Sequence, residues 1–324
     1  MTQSHDWQEL FNLSDSFFED FELLAVVGKG GMGQVVKARQ IALDRLVAIK
    51  FLARKFFEDE TTMARFESEA KMLAKLNHPN VVQIITLNSK AKNPYLVLEY
   101  VDGLSLRKKL KDVGSFSQSE ALHIIGEVCR GLKAAHELNI IHRDVKSDNV
   151  LISKNGDIKL VDFGIAKETE GRGDQTTTGV VMGTPHYMSP EQCHGETLDC
   201  RTDIYSTGVL LFRLLTGRVP FYDQSTIKVL FHHVNTPPPD LGEFKENVKE
   251  EVNELVQKAM AKEREDRFQS AQEFFEAIED VKRELKLTGA KATRKLKKSS
   301  HKSVPSTWWQ ENPLVAGILL LIFL

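Results

Sequence analysis

The stretch GKGGMGQV places Gly28, Gly30 and Gly33 in G-x-G-x-x-G spacing ahead of Val35. Glycine has no Cβ, so such a run lets the backbone bend sharply and approach a phosphate closely. A dinucleotide fold would need a helix opening at the last glycine, whereas QVVKA reads as a strand. A P-loop would need Lys-Ser/Thr after that glycine, and Gln34-Val35 stands there. Alone, the run is equally an ordinary hairpin loop. Downstream the chain gathers residues able to manage charge and protons. VAIK puts Lys50 on a strand, and HRDVKSDN carries His142, Arg143, Asp144, Lys146 and Asn149. DFG contributes Asp162, Phe163 and Gly164, and GTPHYMSPE runs from Gly183 to Glu191.

In this order the motifs resemble the protein-kinase family, in its eukaryotic-like Ser/Thr form and most closely the bacterial receptor-like transmembrane branch. The resemblance covers about residues 21–280. It implies an α+β, two-lobed kinase fold, with a β-rich N-lobe over 21–101, an α-rich C-lobe over 102–280 and the ATP site between them. It also implies Mg2+, with Mn2+ as an alternative, and transfer of the γ-phosphate to Ser/Thr hydroxyls of proteins. Such a reaction needs positioning and neutralisation of crowded phosphate charge more than covalent help. By resemblance Lys50 holds the α and β phosphates and takes an anionic partner from the next helix. Glu69 in FESEA shares a helix face with Phe66 and Leu73, while Glu67 points elsewhere. Asp162 and Asn149 are the expected metal ligands, since Mg2+ prefers hard oxygen donors. Asp144 is the expected base for the attacking hydroxyl, and Lys146 neutralises the γ-phosphate.

The glycine loop (Gly28, Lys29, Gly30, Gly31, Gly33) covers the nucleotide in this reading. Val35 and Ala48 lie above the adenine and Leu151 below, Glu99 and Val101 offer backbone hydrogen bonds, and Leu98 is the gatekeeper. Lys146 with Thr184 resembles the Ser/Thr branch. Ser147 departs from the family's frequent proline without removing a charge or ligand. Glu191 is expected to pair with Arg267 in EREDRF, and Asp203 to hold the catalytic-loop backbone.

Between Asp162 and Glu191 lies DQTTTGVVMGTP, three threonines on a segment with little charge or apolar periodicity. Arg143 calls for an anion, and a phosphothreonine supplies about −1.5 to −2 charges and three acceptor oxygens. Counting back five and seven residues from Gly183, as the receptor-like relatives suggest, selects Thr178 and Thr176 as autophosphorylation sites. Thr177 is expected to be minor or silent.

The elements expected to position these residues follow from patterning. Two apolar runs flank the glycines, LVAIKFLA and YLVLEYV read as strands, and TTMARFESEAKMLAKL reads as a helix. A long helix starts at a serine cap in SQSEALHIIGEVCRGLKAAHEL, short strands flank SKNGD, and further helices are expected over 202–217, 226–234, 247–261 and 270–285. Residues 1–20 read as a short acidic and aromatic extension without a secretory signal.

The chain has 324 residues, 41% hydrophobic and 27% charged, with a net charge of −2, which gives no global sign of nucleic-acid binding. Three cysteines without a CxxC pair argue against a disulfide scaffold or a zinc site. From Lys286 to Ser303 there are seven Lys/Arg and no acid, then Trp308, Trp309 and the apolar LVAGILLLIFL. That order is expected at a cytoplasmic membrane face, but eleven residues are too few for a full span. The expectation is therefore a basic juxtamembrane linker over 281–307, flexible over 288–303, and the first half of a transmembrane helix over 308–324. It implies a single-pass inner-membrane protein with a cytoplasmic kinase domain that phosphorylates itself in trans through a transient homodimer. The rivals are a catalytically dead scaffold, a small-molecule phosphotransferase of kinase-like fold, and a soluble kinase with an incidental apolar tail.

Overall fold

Period-two alternation splits the residues of one strand between two walls, and the N-terminal part of this computed structural model is built on that rule. The structure describes residues 7–8, 10–30, 33–54, 57, 59–164 and 185–299, with side chains through residue 286. Strands β1 (Phe21–Gly30), β2 (Gly33–Gln40), β3 (Arg45–Leu52), β4 (Ile84–Asn88) and β5 (Tyr95–Glu99) form an antiparallel sheet in the order β1-β2-β3-β5-β4. On β3, Val47, Ile49 and Phe51 enter one apolar cluster and Leu52 enters the other. Strand β4 was not read from the sequence. IITLN is short, and no residue in it is fully buried, so its period hardly registers.

Each face has its own cover. Helix α2 (Glu60–Leu73) lays Phe66 and Ala70 into one cluster, and its N-terminus is capped by Asp59, which accepts from Thr62 N at 2.8 Å. The other face is covered by the N-terminal residues. Trp7, Phe11 and Leu13 lead into the short helix α1 (Asp15–Asp20), and Phe11 stacks on Phe51 with ring centroids 4.2 Å apart. Phe17 meets Tyr95 edge-on at 5.3 Å, and Asn93 Nδ2 donates to Phe11 O at 2.9 Å. Phe11 and Phe17 are as buried as the strand residues they cover. What reads as an extension is one wall of the sheet, because burying large aromatic rings is strongly favourable.

The lobes meet where Leu160 N donates to Asn80 O at 2.8 Å and Val82 N donates to Leu160 O at 2.9 Å. Beyond that junction lie β6 (Gly103–Ser105), α3 (Leu106–Val113), α4 (Gln118–His136), β7 (Val150–Ser153) and β8 (Ile158–Leu160). Helix α3 escapes a sequence reading because LRKKLKDV leaves only Leu106 and Leu110 to mark its buried side. Helix α4 opens with a reciprocal capping box between Ser117 and Glu120. Then follow α5 (Pro190–His194), α6 (Arg201–Thr216), α7 (Thr226–Asn235) and α8 (Glu250–Ala259), with α6 buried almost all round at the centre of the lobe.

Helix α9 is Ala271–Ser299, running well past the predicted end at 285. The stretch 286–299, expected as linker, is helical because Leu, Ala, Lys and Arg all favour helix. The chain divides into two compact units, Met1–Glu279 and Asp280–Leu324. Among the described residues no helix is long and apolar enough to cross a membrane. The expected membrane segment 308–324 lies outside the described residues.

Candidate functional site

The glycine hairpin and Lys50 are placed by one register. β1 pairs with β2 through Gly28↔Val35, Lys29↔Gln34 and Gly30↔Gly33, and β2 pairs with β3 through Val35↔Lys50. Gly33 has φ +136°, and a Cβ there would lie 1.9 Å from Phe51 O. Only glycine brings β2 this close to the strand bearing Lys50. Gly31 lies outside the described residues.

The polar loop beneath is fixed from α6. Asp203 is buried and accepts from His142 N, Arg143 N and His136 Nε2, each at 2.8 Å. Arg143 has φ +63° and Asp162 has φ +56°, a left-handed conformation that costs side-chain-bearing residues energy and needs surrounding support. For Arg143 the support includes Asp203 and Gln192 Nε2, which donates to Arg143 O at 3.0 Å. For the Asp162 segment it includes Gly164 N donating to His142 O at 2.8 Å and Phe163 packed on the His142 ring at 4.4 Å. Burial pushes the His142 imidazole below its ordinary pKa, which favours a neutral ring between these segments.

On this frame Lys146 Nζ donates to Asp144 Oδ2 at 2.7 Å. Asn149 Nδ2 donates to Asp144 Oδ2 at 3.0 Å and to Asp144 O at 2.9 Å. Lys50 Nζ donates to Asp162 Oδ1 at 2.7 Å. Glu69 is half-buried on α2 beside buried Ala70, whereas Glu67 is drawn below its ordinary pKa by a hydrogen bond from Ser89 and then by Lys71. The structure therefore joins Asp144, Lys146 and Asn149 in one hydrogen-bonded group and Lys50 and Asp162 in a second.

A divalent cation fits this donor set. Asn149 commits its nitrogen to Asp144, leaving Oδ1 as the atom to meet a cation, and Asp162 supplies a partly exposed carboxylate. Two such oxygens suit Mg2+, which keeps water and substrate phosphate in its remaining positions. Among the described residues no cluster of three or more His, Cys, Asp or Glu could form an all-protein cage.

Above the cluster, half-buried Ala48 pairs with Leu98 in the β3–β5 register, and Val35 and Leu151 are half-buried on β2 and β7. Glu99 N is committed to Gln83 O at 2.9 Å, so its carbonyl is the backbone group left for a base, with Val101 two residues on. The Glu99 carboxylate meets Lys159 at 2.8 Å.

Below the cluster, Arg267 grips Glu191 with two parallel bonds of 2.8 and 2.9 Å, both residues buried. Thr202 Oγ1 adds a donor to Glu191 at 2.7 Å, and Arg267 also donates to the carbonyls of Ala261, Lys262 and Arg201. Burial alone would raise the Glu191 pKa, but Arg267 and then Thr202 outweigh it and hold the carboxyl below its ordinary value. Thr176, Thr178 and Thr184 lie outside the described residues.

Sequence reasoning did not single out His136, which approaches Asp203 from α4, or Lys262. The only available signal for Lys262 was a cation directly after an apolar helix end, MAKE, which reads as an ordinary solvated lysine.

The family described as Protein kinase domain matches residues 21–277. A probable serine/threonine-protein kinase of Clostridium perfringens is 39% identical over 83% of this chain and 39% of its own length. Serine/threonine-protein kinase PknB of Mycolicibacterium smegmatis is 41% identical over 78% of this chain and 41% of its own. This chain thus spans about two fifths of the length of these relatives. The PknI kinase domain of Mycobacterium tuberculosis superposes with a TM-score of 0.65 over 81% of this chain and 96% of that one. At 24% identity this last likeness is one of fold alone.

Proposed function

Because the chain belongs to the protein kinase domain family, we propose that it is an ATP-dependent serine/threonine protein kinase whose centre is Asp144, Lys146, Asn149, Lys50 and Asp162. The observation that carries this reading is the pairing of the polar groups. Asp144 is held by Lys146 and Asn149, and Asp162 by Lys50, within two segments locked together through His142. The oxygen of a Ser/Thr hydroxyl attacks the γ-phosphorus, the bond to the β–γ bridging oxygen breaks, and ADP leaves. The hydroxyl proton passes to the Asp144 carboxylate. Lys146 then stands beside the oxygens of the phosphoryl group in transfer. Lys50, positioned by Asp162 and Glu69, holds the α and β phosphates, and the glycine hairpin closes over them. A divalent cation, Mg2+ by preference, held by Asp162 and Asn149, neutralises phosphate charge when bound.

The same reading extends to the activation segment. Arg143 stands beside Asp144, and a phosphate on Thr176 or Thr178 supplies the anion suited to a guanidinium. Modification occurs between two copies in transient contact. Incubation with Mg-ATP followed by mass spectrometry should find phosphate at Thr176 and Thr178, with Thr177 bare. The double change to alanine should lower transfer to added protein, and an unchanged rate with those sites bare would overturn this part.

Tethering to the inner membrane, with the kinase domain in the cytoplasm, rests on the run of cations before Trp308 and the apolar stretch after it. Removing residues 304–324 should shift the protein from the membrane to the soluble fraction. Equal distribution of the two forms would refute the tether.

A further inference from the structure

Lys262 is a half-buried cation that the proposed reaction does not use. Its Nζ donates to His233 O at 2.7 Å, His232 O at 3.2 Å and the Tyr205 hydroxyl at 3.4 Å. It also lies 4.8 Å from the centre of the Phe221 ring. The two carbonyls belong to the last turn of α7, whose end carries partial negative charge, and His232 O also accepts from Thr236 N at 3.0 Å. A cation from another segment thus caps α7. The charged and titratable groups around it are Tyr205 on α6, His232 and His233 on α7, Cys193 on α5, and Arg267. Burial, with the nearby charge of Arg267, pulls the Lys262 pKa down to about 8, so keeping a cation here costs free energy. A lysine held at such a cost calls for an account of what it holds.

Two chains of contact lead from it. One runs through its own backbone: Lys262 O accepts from Arg267 Nη2 at 2.8 Å, and Arg267 grips Glu191. The other runs through Phe221, whose ring packs on His232 and His233 at 5.9 and 5.1 Å. The next residue, Tyr222, is 75% exposed and stacks on His186 at 6.0 Å. His186 adjoins Tyr187, whose hydroxyl donates to Ser147 Oγ at 3.2 Å, three residues from Asp144 in the chain. The exposed Tyr222–His186 stack is therefore tied to the loop of Asp144. A protein segment presenting a hydroxyl to Asp144 must lay its neighbouring residues on the surface around that loop.

Building on the kinase reading, we infer that Lys262 is a positioning residue for the protein acceptor. It pins the end of α7 and the Phe221–Tyr222 turn to the Glu191–Arg267 pair and so fixes the Tyr222–His186 surface on which the acceptor rests. None of these groups is among those assigned to ATP in the proposed reaction, so the effect is expected on acceptor binding.

The test measures initial rates of phosphate transfer to myelin basic protein, varying acceptor and ATP separately, for wild type, Lys262→Met and Tyr222→Ala. Loss of charge-assisted hydrogen bonds predicts an acceptor KM raised about tenfold in Lys262→Met. ATP KM and kcat should stay within about twofold of wild type. Tyr222→Ala, at an exposed position that folding tolerates, should show the same selective rise even if Lys262→Met fails to fold. An unchanged acceptor KM in Tyr222→Ala would overturn the proposal. So would a folded Lys262→Met whose ATP KM and kcat change along with its acceptor KM. A wild-type protein that transfers no phosphate would instead refute the kinase reading on which the inference stands.

Discussion

Asp144→Asn should lower phosphate transfer to protein hydroxyls by roughly 10²–10⁴-fold, the usual contribution of a positioned general base. Asparagine has nearly the shape of aspartate, so it fills the same space between Lys146 and Asn149. What it loses is the charge that accepts from Lys146 at 2.7 Å and the basic oxygen that would take the hydroxyl proton. Its backbone carbonyl remains to accept from Asn149. Nucleotide binding should therefore persist, because Lys50 and Asp162 pair independently of Asp144. Rates measured with radiolabelled ATP decide the matter. Transfer within a few-fold of wild type would remove Asp144 from the reaction, and loss of ATP binding would mean that the substitution had disturbed the nucleotide site instead.

The largest effect on stability is expected at the other end of the site. Arg267→Met should destabilise the protein by about 3–5 kcal/mol, because it strips the buried Glu191 carboxylate of both charge-assisted hydrogen bonds and leaves it Thr202 and the more distant Arg264 at 4.0 Å. It also removes the donor from three backbone carbonyls, those of Ala261, Lys262 and Arg201. In a domain of this size that corresponds to a fall in Tm of roughly 10 °C. The double variant Glu191→Gln with Arg267→Met should recover part of the loss, since removing both charges is milder than removing one. The acid limb supplies a second readout. The Glu191 pKa lies below its ordinary value in the folded protein, so the stability it contributes is full above that ordinary value. That contribution is lost as pH falls through the folded value, and the gap between wild type and Arg267→Met should narrow there. A single variant with wild-type Tm would show that the pair contributes little to the fold.

These two sites were legible in the sequence to different degrees. Residues that touch phosphate or a proton must be of particular types, and the chain keeps them in short runs: VAIK, HRDVKSDN and DFG. A reader who knows the chemistry finds them without the fold. Glu191 and Arg267 lie 76 residues apart and were paired only through the family resemblance. The contact of His136 with Asp203, across 67 residues, left no local trace. Lys262 stayed hidden because its burial comes from segments distant in the chain. The fold divides along the same line. Strands with strong alternation and long helices with caps could be read directly. β4 and α3 could not, because too few of their side chains are buried to set a period. The end of α9 is hidden in the sequence because the Gly/Lys/Thr/Ser richness of 288–303 reads as flexible linker, although Lys, Arg, Leu and Ala in that stretch favour helix.

The aromatic wall over the N-lobe sheet means that the inherited stretch and the folding stretch have different limits. The family match begins at residue 21, yet the cover of Phe51 and Tyr95 begins at Trp7. A fragment cut at Phe21 would keep every matched residue and every group assigned to the reaction. It would also leave Phe51, the residue next to Lys50, facing water on a bare sheet. Expression boundaries drawn from ancestry alone would thus give a protein prone to stick to itself, and its inactivity would be mistaken for a defect in the chemistry.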